Sequence, residues 1–327
     1  MSEIILGIET SCDDTCVAIM SGDKLLIHMA ASQDHNKYGG ILPEYAARNH
    51  MQALPKLVEC ALAESGLSLA QLDCISVTSM PGLLGSLMVG ASYAKGLAYS
   101  LNKPIIAIHH IEGHILMAKF QFGLEFPFGA LVVSGGHSLL AIAEGLGRYK
   151  LLGTTLDDSC GECFDKVARK LNLPQPGGPH IEKLAKTGSP TVPLPIPLHK
   201  DGSCNFSFSG LKTATIRFEA EPADVAASLQ NAVGLTLAER LKNAISRNPE
   251  VKNWALVGGV ASNLYIRSYL EHCLTELSCN IYCPMGKYCV DNGVMPAYTG
   301  LLYYRAGKFS ELDFKPKSIC RLDELSY

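Results

Sequence analysis

Apolar and polar positions along the chain alternate in an order that occurs twice. Residues 4–8 form a short apolar run, and the polar stretch Glu9-Thr10-Ser11-Cys12-Asp13-Asp14 follows it. Two further runs, 15–20 and 24–31, are separated by Ser21-Gly22-Asp23. Short runs broken by small polar turns predict three antiparallel strands. Residues 35–50 open as a glycine-bearing loop and pass into a helix that runs towards Gly66. A strand at 73–79, a turn at Met80-Pro81-Gly82 and a helix at 84–101 come next. The opening order then returns. Strands are predicted at 130–133, 139–143 and 149–155, with Ser134-Gly135-Gly136-His137-Ser138 as the turn between the first two. Helices follow at 161–171, 222–245 and 263–277, and strands at 254–257 and 280–283. The proline-rich stretch 190–197 is read as a surface loop.

This repetition predicts an α/β fold made by internal duplication, with two βββαβα-type domains. The first spans 1–122, with 294–327 returning to it, and the second spans 123–293. Each half places a small polar turn between its first two strands, and a duplicated fold lets those turns face a shared cleft. Ser134 to His137 supplies glycines whose backbone N–H groups can approach an anion. Thr10, Ser11, Asp13 and Asp14 suit a hydrated cation or a phosphate. A third element, LVGGVASN at 256–263, reads as a strand, a glycine pair and a helix start, where a nucleotide can rest against bare backbone. Together these features describe the actin/Hsp70/sugar-kinase-like ATPase fold, two domains around a central nucleotide cleft.

Chemistry concentrates in AIHHIEGHIL at 107–116. An apolar run suited to a buried strand changes there to a helical pattern. His110 and His114 lie four residues apart, so a helix projects both imidazoles from one face. Two neutral imidazoles at that spacing can hold one divalent metal and leave positions open for a substrate oxygen; the plainer reading is a helix with two partly exposed histidines. Two metalloprotease motifs fail on spacing. HExxH needs Glu at 111, where Ile stands, and HxxEH, started at His109, needs Glu and His at 112 and 113, where Gly113 breaks it.

Composition narrows the classes. The chain has 327 residues, 47% of them apolar and 18% charged, enough to bury a large core. A net charge of −3 excludes a strongly basic nucleic-acid binder but leaves room for a local basic surface. The longest apolar stretch, 83–101, is interrupted by Ser86, Ser92 and Lys95 and reads as a buried helix rather than a membrane span. MSEIILGIET has no basic region ahead of an apolar segment, which predicts no signal peptide and a cytoplasmic protein. The 12 cysteines are dispersed and read as reduced core thiols. Cys160 and Cys163 form a lone CxxC with no second pair to complete a zinc site.

The motifs extend further, and together they carry a family resemblance. GIETSCDD (7–14), GGILPEYAARNH (39–50), HHIEGH (109–114), VSGGH (133–137), GECFDK (161–166), Gly177-Gly178-Pro179, FSFSGLKT (206–213), the glycine turn at 258–263 and Asp291-Asn292 occur in order over nearly the whole chain. In this it resembles the tRNA N6-adenosine threonylcarbamoyltransferase family, the bacterial TsaD type formerly labelled O-sialoglycoprotein endopeptidase. The resemblance implies a metal on His110, His114 and Asp291, with iron as the family's ion and zinc or magnesium compatible with the donors. It implies substrate contacts at Val132, Val133, Ser134, Gly135, Gly136, Asp165, Gly178, Glu182 and Asn263.

The implied reaction moves an L-threonylcarbamoyl group from threonylcarbamoyl-AMP to the N6 amine of the tRNA adenosine 3′ of the anticodon. Implied partners are tRNA, a paralogous actin-like subunit and a small ATPase, with no membrane. The helix at 43–63 is a candidate contact for the paralogue. Lys166, Arg169, Lys170, Lys308, Lys315, Lys317 and Arg321 are candidate tRNA phosphate contacts. No general base is assigned; Glu112, Asp13 and His137 lie in suitable motifs. Taken without the resemblance, Asp291 reads as a helix N-cap, Asp165 as a solvated helix carboxylate, Glu182 as a surface partner of Lys186 and Asn263 as a helix cap. The chain departs from the family pattern at Cys160, Cys163 and Pro296, and a proline deep in a helix would disturb the approach to Asp291. The competing readings are a small-molecule kinase of the same superfamily, using Asp13 or Asp14 with magnesium, and a non-enzymatic assembly partner.

Overall fold

In the computed structural model, residues 2–35 and 40–325 are described. The glycine-bearing start of the 35–50 loop, with Gly39 of its motif, and the last two residues of the returning tail lie outside them. The chain divides into two compact units. One comprises Met1–Gln121, Leu146–Arg148 and Val290–Tyr327, and the other Phe122–Gly145 and Tyr149–Cys289.

The first unit is built on β1 (Ile4–Glu9), β2 (Thr15–Ser21), β3 (Lys24–Ala31), β4 (Cys74–Met80) and β5 (Ile105–His109), in the order β3-β2-β1-β4-β5. The first three strands are antiparallel, and β1, β4 and β5 run parallel. Strands β1, β2, β4 and β5 are almost wholly buried while β3 alternates, as expected of central strands beside an exposed edge. Helices α1 (Pro43–Ser65), α2 (Leu84–Leu101) and α3 (His110–Phe122) belong to this half of the chain. Pro43 starts α1, where its fixed φ suits the first turn, and Gly66 ends it in the left-handed region at φ 69°.

The second unit repeats the plan. Strands β6 (Phe128–Val133), β7 (Ser138–Gly145), β8 (Arg148–Thr154), β9 (Asn253–Val257) and β10 (Asn280–Tyr282) are ordered β10-β9-β6-β7-β8. Read outward from β6, this is the β1 order again, with an antiparallel hairpin on one side and two parallel strands on the other. The duplicated α/β fold expected from the sequence is present. Its helices are α4 (Cys160–Lys170), α5 (Gly177–Ala185), α6 (Ser209–Arg217), α7 (Pro222–Arg247), α8 (Leu264–Glu276) and the single turn α9 (Gly286–Cys289). Trp254, Phe164, Phe206 and Phe208 are among its largest buried side chains. The hydrophobic pattern did not announce α5 or α6. Both begin with glycine or Ser-Gly and are only nine residues long, too short for a periodic apolar stripe to stand out.

Helix α10 (Val294–Arg305) returns to the first unit and packs on β1, β2 and β4. Two glycines allow that approach. A β-carbon on Gly7 would stand 2.4 Å from the Ala297 nitrogen, and one on Gly293 would stand 2.4 Å from the Val17 carbonyl carbon. Pro296 is the third residue of α10, inside the first turn, where the missing N–H has no intrahelical acceptor to lose. The helix is undisturbed. Among the described residues no helix is long and apolar enough to cross a membrane.

Candidate metal centre and anion-binding turns

The metal candidate is assembled where β5 runs directly into α3. His110 is the first residue of that helix and His114 lies one turn on, with ring centroids 4.7 Å apart and planes at 83°. Asp291, just ahead of α10, completes the group. Its Oδ1 is 3.1 Å from His114 Nε2 and 3.5 Å from His110 Nε2. Ligating atoms from the three residues all lie within 4.8 Å of one another. Beside Asp291, Asn292 Oδ1 accepts the Val294 and Met295 N–H groups at the start of α10, at 3.0 and 3.2 Å.

Behind His110 lies a carboxylate to which no role was given from the sequence. Glu9 ends β1 fully buried and accepts the Ser11 N–H and the Thr78 hydroxyl, each at 2.6 Å. Its Oε2 is 3.2 Å from His110 Nδ1, and Ser11 Oγ is 3.1 Å from the same nitrogen. Burial pushes the His110 pKa down, but the Asp291 and Glu9 carboxylates outweigh it and raise the pKa to about 9. Burial lowers that of His114, helped by the charge on His110 and opposed by its bond to Asp291. Burial would raise that of Glu9, yet the His110 imidazole holds it low. His110 thus lies between two carboxylates, Glu9 on the Nδ1 side and Asp291 on the Nε2 side. Two imidazoles and a carboxylate with one more exposed edge (the Asp291 side chain keeps 27% of its surface) suit an ion with open coordination positions. His114 Nδ1, buried, has no hydrogen-bond partner among the described residues. The residues fit a metal.

Glu112, a candidate base, lies on the same helix as the two histidines. It is fully buried and accepts the Tyr303 hydroxyl at 3.0 Å and the Gly147 N–H at 2.9 Å.

In the second unit, Val132 and Val133 are buried strand residues, so only their backbone can meet a ligand. The turn after them exposes Gly135 and Gly136. Ser134 closes it, donating its N–H to the His137 carbonyl at 2.8 Å and accepting the His137 N–H on Oγ at 3.0 Å. Helix α4 steadies the turn. Gly161 N–H donates to the Ser134 carbonyl at 3.1 Å, and the Ser159 hydroxyl donates to the Gly135 carbonyl at 2.5 Å. Asp165 is not a freely solvated carboxylate. Its Oδ1 accepts the Gly177 N–H at 2.7 Å at the start of α5, and burial raises its pKa against that bond. Gly178, next along, has open space where a β-carbon would stand.

Glu182 accepts the Leu264 N–H at 3.0 Å, so it serves the start of α8 rather than Lys186. Asn263 is the N-cap of α8. Its Oδ1 accepts the Ile266 N–H at 3.0 Å while its Nδ2 donates to Gln230 Oε1 at 3.0 Å. The FSFSGLKT segment also has a use. Asp157 accepts the N–H groups of Phe208 and Ser209 and the hydroxyls of Ser207 and Ser209, and Lys212 pairs with Asp158.

Cys160 and Cys163 are fully buried, and burial pushes the Cys163 thiol up to about 12 and raises that of Cys160 as well. Neither offers a thiolate. Replacing both by Ala should leave activity essentially unchanged, at a stability cost of about 1 kcal/mol for each small cavity. An activity assay beside thermal unfolding checks this, and a large loss of turnover would restore a role for the thiols.

The sequence profile described as tRNA N6-adenosine threonylcarbamoyltransferase matches residues 24–298. Curated proteins of that name align end to end. The Rickettsia bellii (strain OSU 85-389) protein is 43% identical over 338 residues, covering 98% of this chain and 99% of its own. The Anaplasma marginale (strain St. Maries) protein is 44% identical over 329 residues, covering 96% of each. The chain belongs to this family. Solved structures agree on the fold, which is of the actin-like ATPase type. The structure of T.kodakarensis HypF superposes with TM-score 0.66 at 16% identity, over 93% of this chain and 48% of that one. Component A of the Acidaminococcus fermentans (R)-2-hydroxyglutaryl-CoA dehydratase gives 0.57 at 16% identity, over 94% of this chain and 100% of that one.

Proposed function

We propose that the chain transfers an L-threonylcarbamoyl group from threonylcarbamoyl-AMP to the N6 amine of the tRNA adenosine 3′ of the anticodon, assisted by a metal on His110, His114 and Asp291. The observation that carries this reading is the convergence of two buried imidazoles and one carboxylate on a common point, in a chain whose full-length relatives carry the transferase name. A kinase is not favoured, because its chemistry has no use for the histidine pair.

The donor is a mixed anhydride and AMP is a good leaving group. Catalysis then consists of positioning and of neutralising charge on the phosphate. When bound, the metal supplies a Lewis acid for phosphate oxygens. Two histidines and one carboxylate with open positions favour iron(II), with zinc and magnesium as the alternatives. The Ser134–Gly136 turn presents backbone N–H groups to an anion. Asp165 and Glu182 each spend one oxygen on a helix start, leaving the other for a ribose hydroxyl. Asn263 retains one N–H of its amide for the nucleotide, and Gly178 leaves room for close approach. No side chain is required as general base, and Glu112 is already committed to Tyr303 and Gly147.

For tRNA phosphates the exposed Arg169, Lys170, Lys308, Lys315 and Lys317 are the contacts we favour. Lys166 and Arg321 are less suited, being paired with Glu162 and Asp323. A paralogous actin-like subunit would dock on the α1–α2 face, where Met51, Leu84 and Met88 are exposed around an apolar groove of about 510 Å³. A small ATPase completes the assembly, and the cytoplasm is where its tRNA is met.

Metal analysis of the purified chain tests the centre. About one divalent ion per chain is expected from wild type and close to none from His114→Ala; equal metal in both would remove the reading. For the nucleotide site, Asn263→Ala is expected to weaken adenine-nucleotide binding about tenfold, roughly 1.4 kcal/mol, with tRNA affinity unchanged. Loss of the cap adds about 1 kcal/mol of instability. Calorimetric titrations with AMP and with tRNA separate the two effects, and a larger loss for tRNA would show that the adenosine is misplaced.

A further inference from the structure

We propose that Glu9 is a positioning residue that selects the tautomer of His110, so that Nδ1 carries the proton and Nε2 is free to take the metal. The inference rests on the metal reading above and adds to it a residue outside the ligand set. A neutral imidazole has one donor and one acceptor nitrogen, and which is which is set by the partner of the nitrogen that does not bind metal. For His110 that partner is well defined. Glu9 Oε2 faces Nδ1 at 3.2 Å, and a carboxylate can only accept, so Nδ1 must donate. Ser11 Oγ, 3.1 Å from the same nitrogen, is a hydroxyl that either donates or accepts and makes no choice.

The carboxylate is itself locked. Glu9 has no exposed surface, and it also accepts the Ser11 N–H on Oε1 and the Thr78 hydroxyl on Oε2. A carboxylate buried at the end of an otherwise apolar strand is costly without partners, and His110 Nδ1 joins the Ser11 N–H and the Thr78 hydroxyl around it. The other nitrogen is on the ligand side: His110 Nε2 lies 3.5 Å from Asp291 Oδ1, the oxygen that His114 Nε2 also approaches, where a bound ion would take the place of a proton.

Glu9→Gln isolates the effect because it changes one atom and almost no volume. The Ser11 N–H can only donate, so the glutamine oxygen must stay where Oε1 is. That places the amide NH2 against His110 Nδ1. A donor then faces Nδ1, which must accept, and the proton moves to Nε2, the nitrogen the metal needs. Zinc, which is diamagnetic, is the probe. In zinc-loaded wild type, nitrogen-15 NMR of the histidines should show His110 with Nδ1–H and a metal-bound Nε2. Glu9→Gln should bind zinc about 10–100-fold more weakly in competition with a chromogenic chelator. Glu9→Asp keeps an acceptor-only group and should fall between the two, retaining the wild-type tautomer.

Equal weakening by Asp and Gln would mean that the effect is packing, and it would overturn the inference. So would Glu9→Gln with wild-type affinity. If neither variant folds, the wild-type spectrum still decides, because His110 bound through Nδ1 excludes the proposed arrangement. Wild type that takes up no zinc at these residues overturns the metal reading itself, whereas normal uptake with an indifferent Glu9 overturns only the present inference.

Discussion

His110→Ala should lose its bound metal and lower threonylcarbamoyl transfer by about a thousandfold or more. A Lewis acid at developing phosphate charge contributes several kcal/mol, and each ~1.4 kcal/mol is a factor of ten in rate. The fold should survive. Glu9 loses its imidazole but keeps the Ser11 N–H and the Thr78 hydroxyl, so the stability loss should be about 2–3 kcal/mol, within the margin of a domain. His114→Ala is the companion variant. It removes a proposed ligand whose second nitrogen has no partner among the described residues, and it leaves Glu9 satisfied. It should lose metal and activity equally at a smaller cost in stability. Circular dichroism, metal analysis and the transfer assay on both variants check this, and full activity in either would remove the metal role.

The second large effect is expected far from any ligand, at Gly7. Even an alanine there places its β-carbon 2.4 Å from the Ala297 nitrogen and 2.6 Å from its α-carbon, and both are backbone atoms that cannot rotate away. Strand β1 and helix α10 must separate. Overpacking of this kind costs about 3 kcal/mol, which lowers Tm by roughly 6–12 °C for a domain of this size. Because Asp291 lies just ahead of α10, Gly7→Ala should also weaken metal binding without touching a ligand. Thermal unfolding and zinc titration measure the two effects, and an unchanged Tm would contradict the close contact between strand and helix.

The parts of this fold that could be read from the sequence were those whose chemistry is local. The strands at 4–8 and 130–133 are unbroken apolar runs between small polar turns, and central strands buried on both faces have no alternation to blur them. The change from strand to helix at His109-His110 was visible because one pattern stops where the other begins. Asp291 was different. It lies 177 residues from His114, nothing in its neighbourhood distinguishes a ligand from a cap, and only the family resemblance singled it out. Asn292, one residue on, accepts the first N–H groups of α10.

Other residues acquired roles that spacing could not convey. Glu182 reads as half of an i, i+4 pair with Lys186, yet its carboxylate serves the start of α8, 82 residues away. Glu112 lies in the metal motif and invites a catalytic role, but a tyrosine hydroxyl on α10 takes it. Glu9 did carry a signal: a lone carboxylate closing the run IILGIE is a charge in a buried strand, and a buried charge must have a partner. That partner could be named only once His110 was seen beside it.

The most direct test of the whole account is nucleoside mass spectrometry on unmodified tRNA incubated with threonylcarbamoyl-AMP, the chain and its partner subunits, wild type beside His110→Ala. Threonylcarbamoyladenosine formed by wild type and absent with the variant is the predicted result. Its absence from the wild-type reaction, with intact donor and active partners, or its undiminished formation by His110→Ala, would contradict the account.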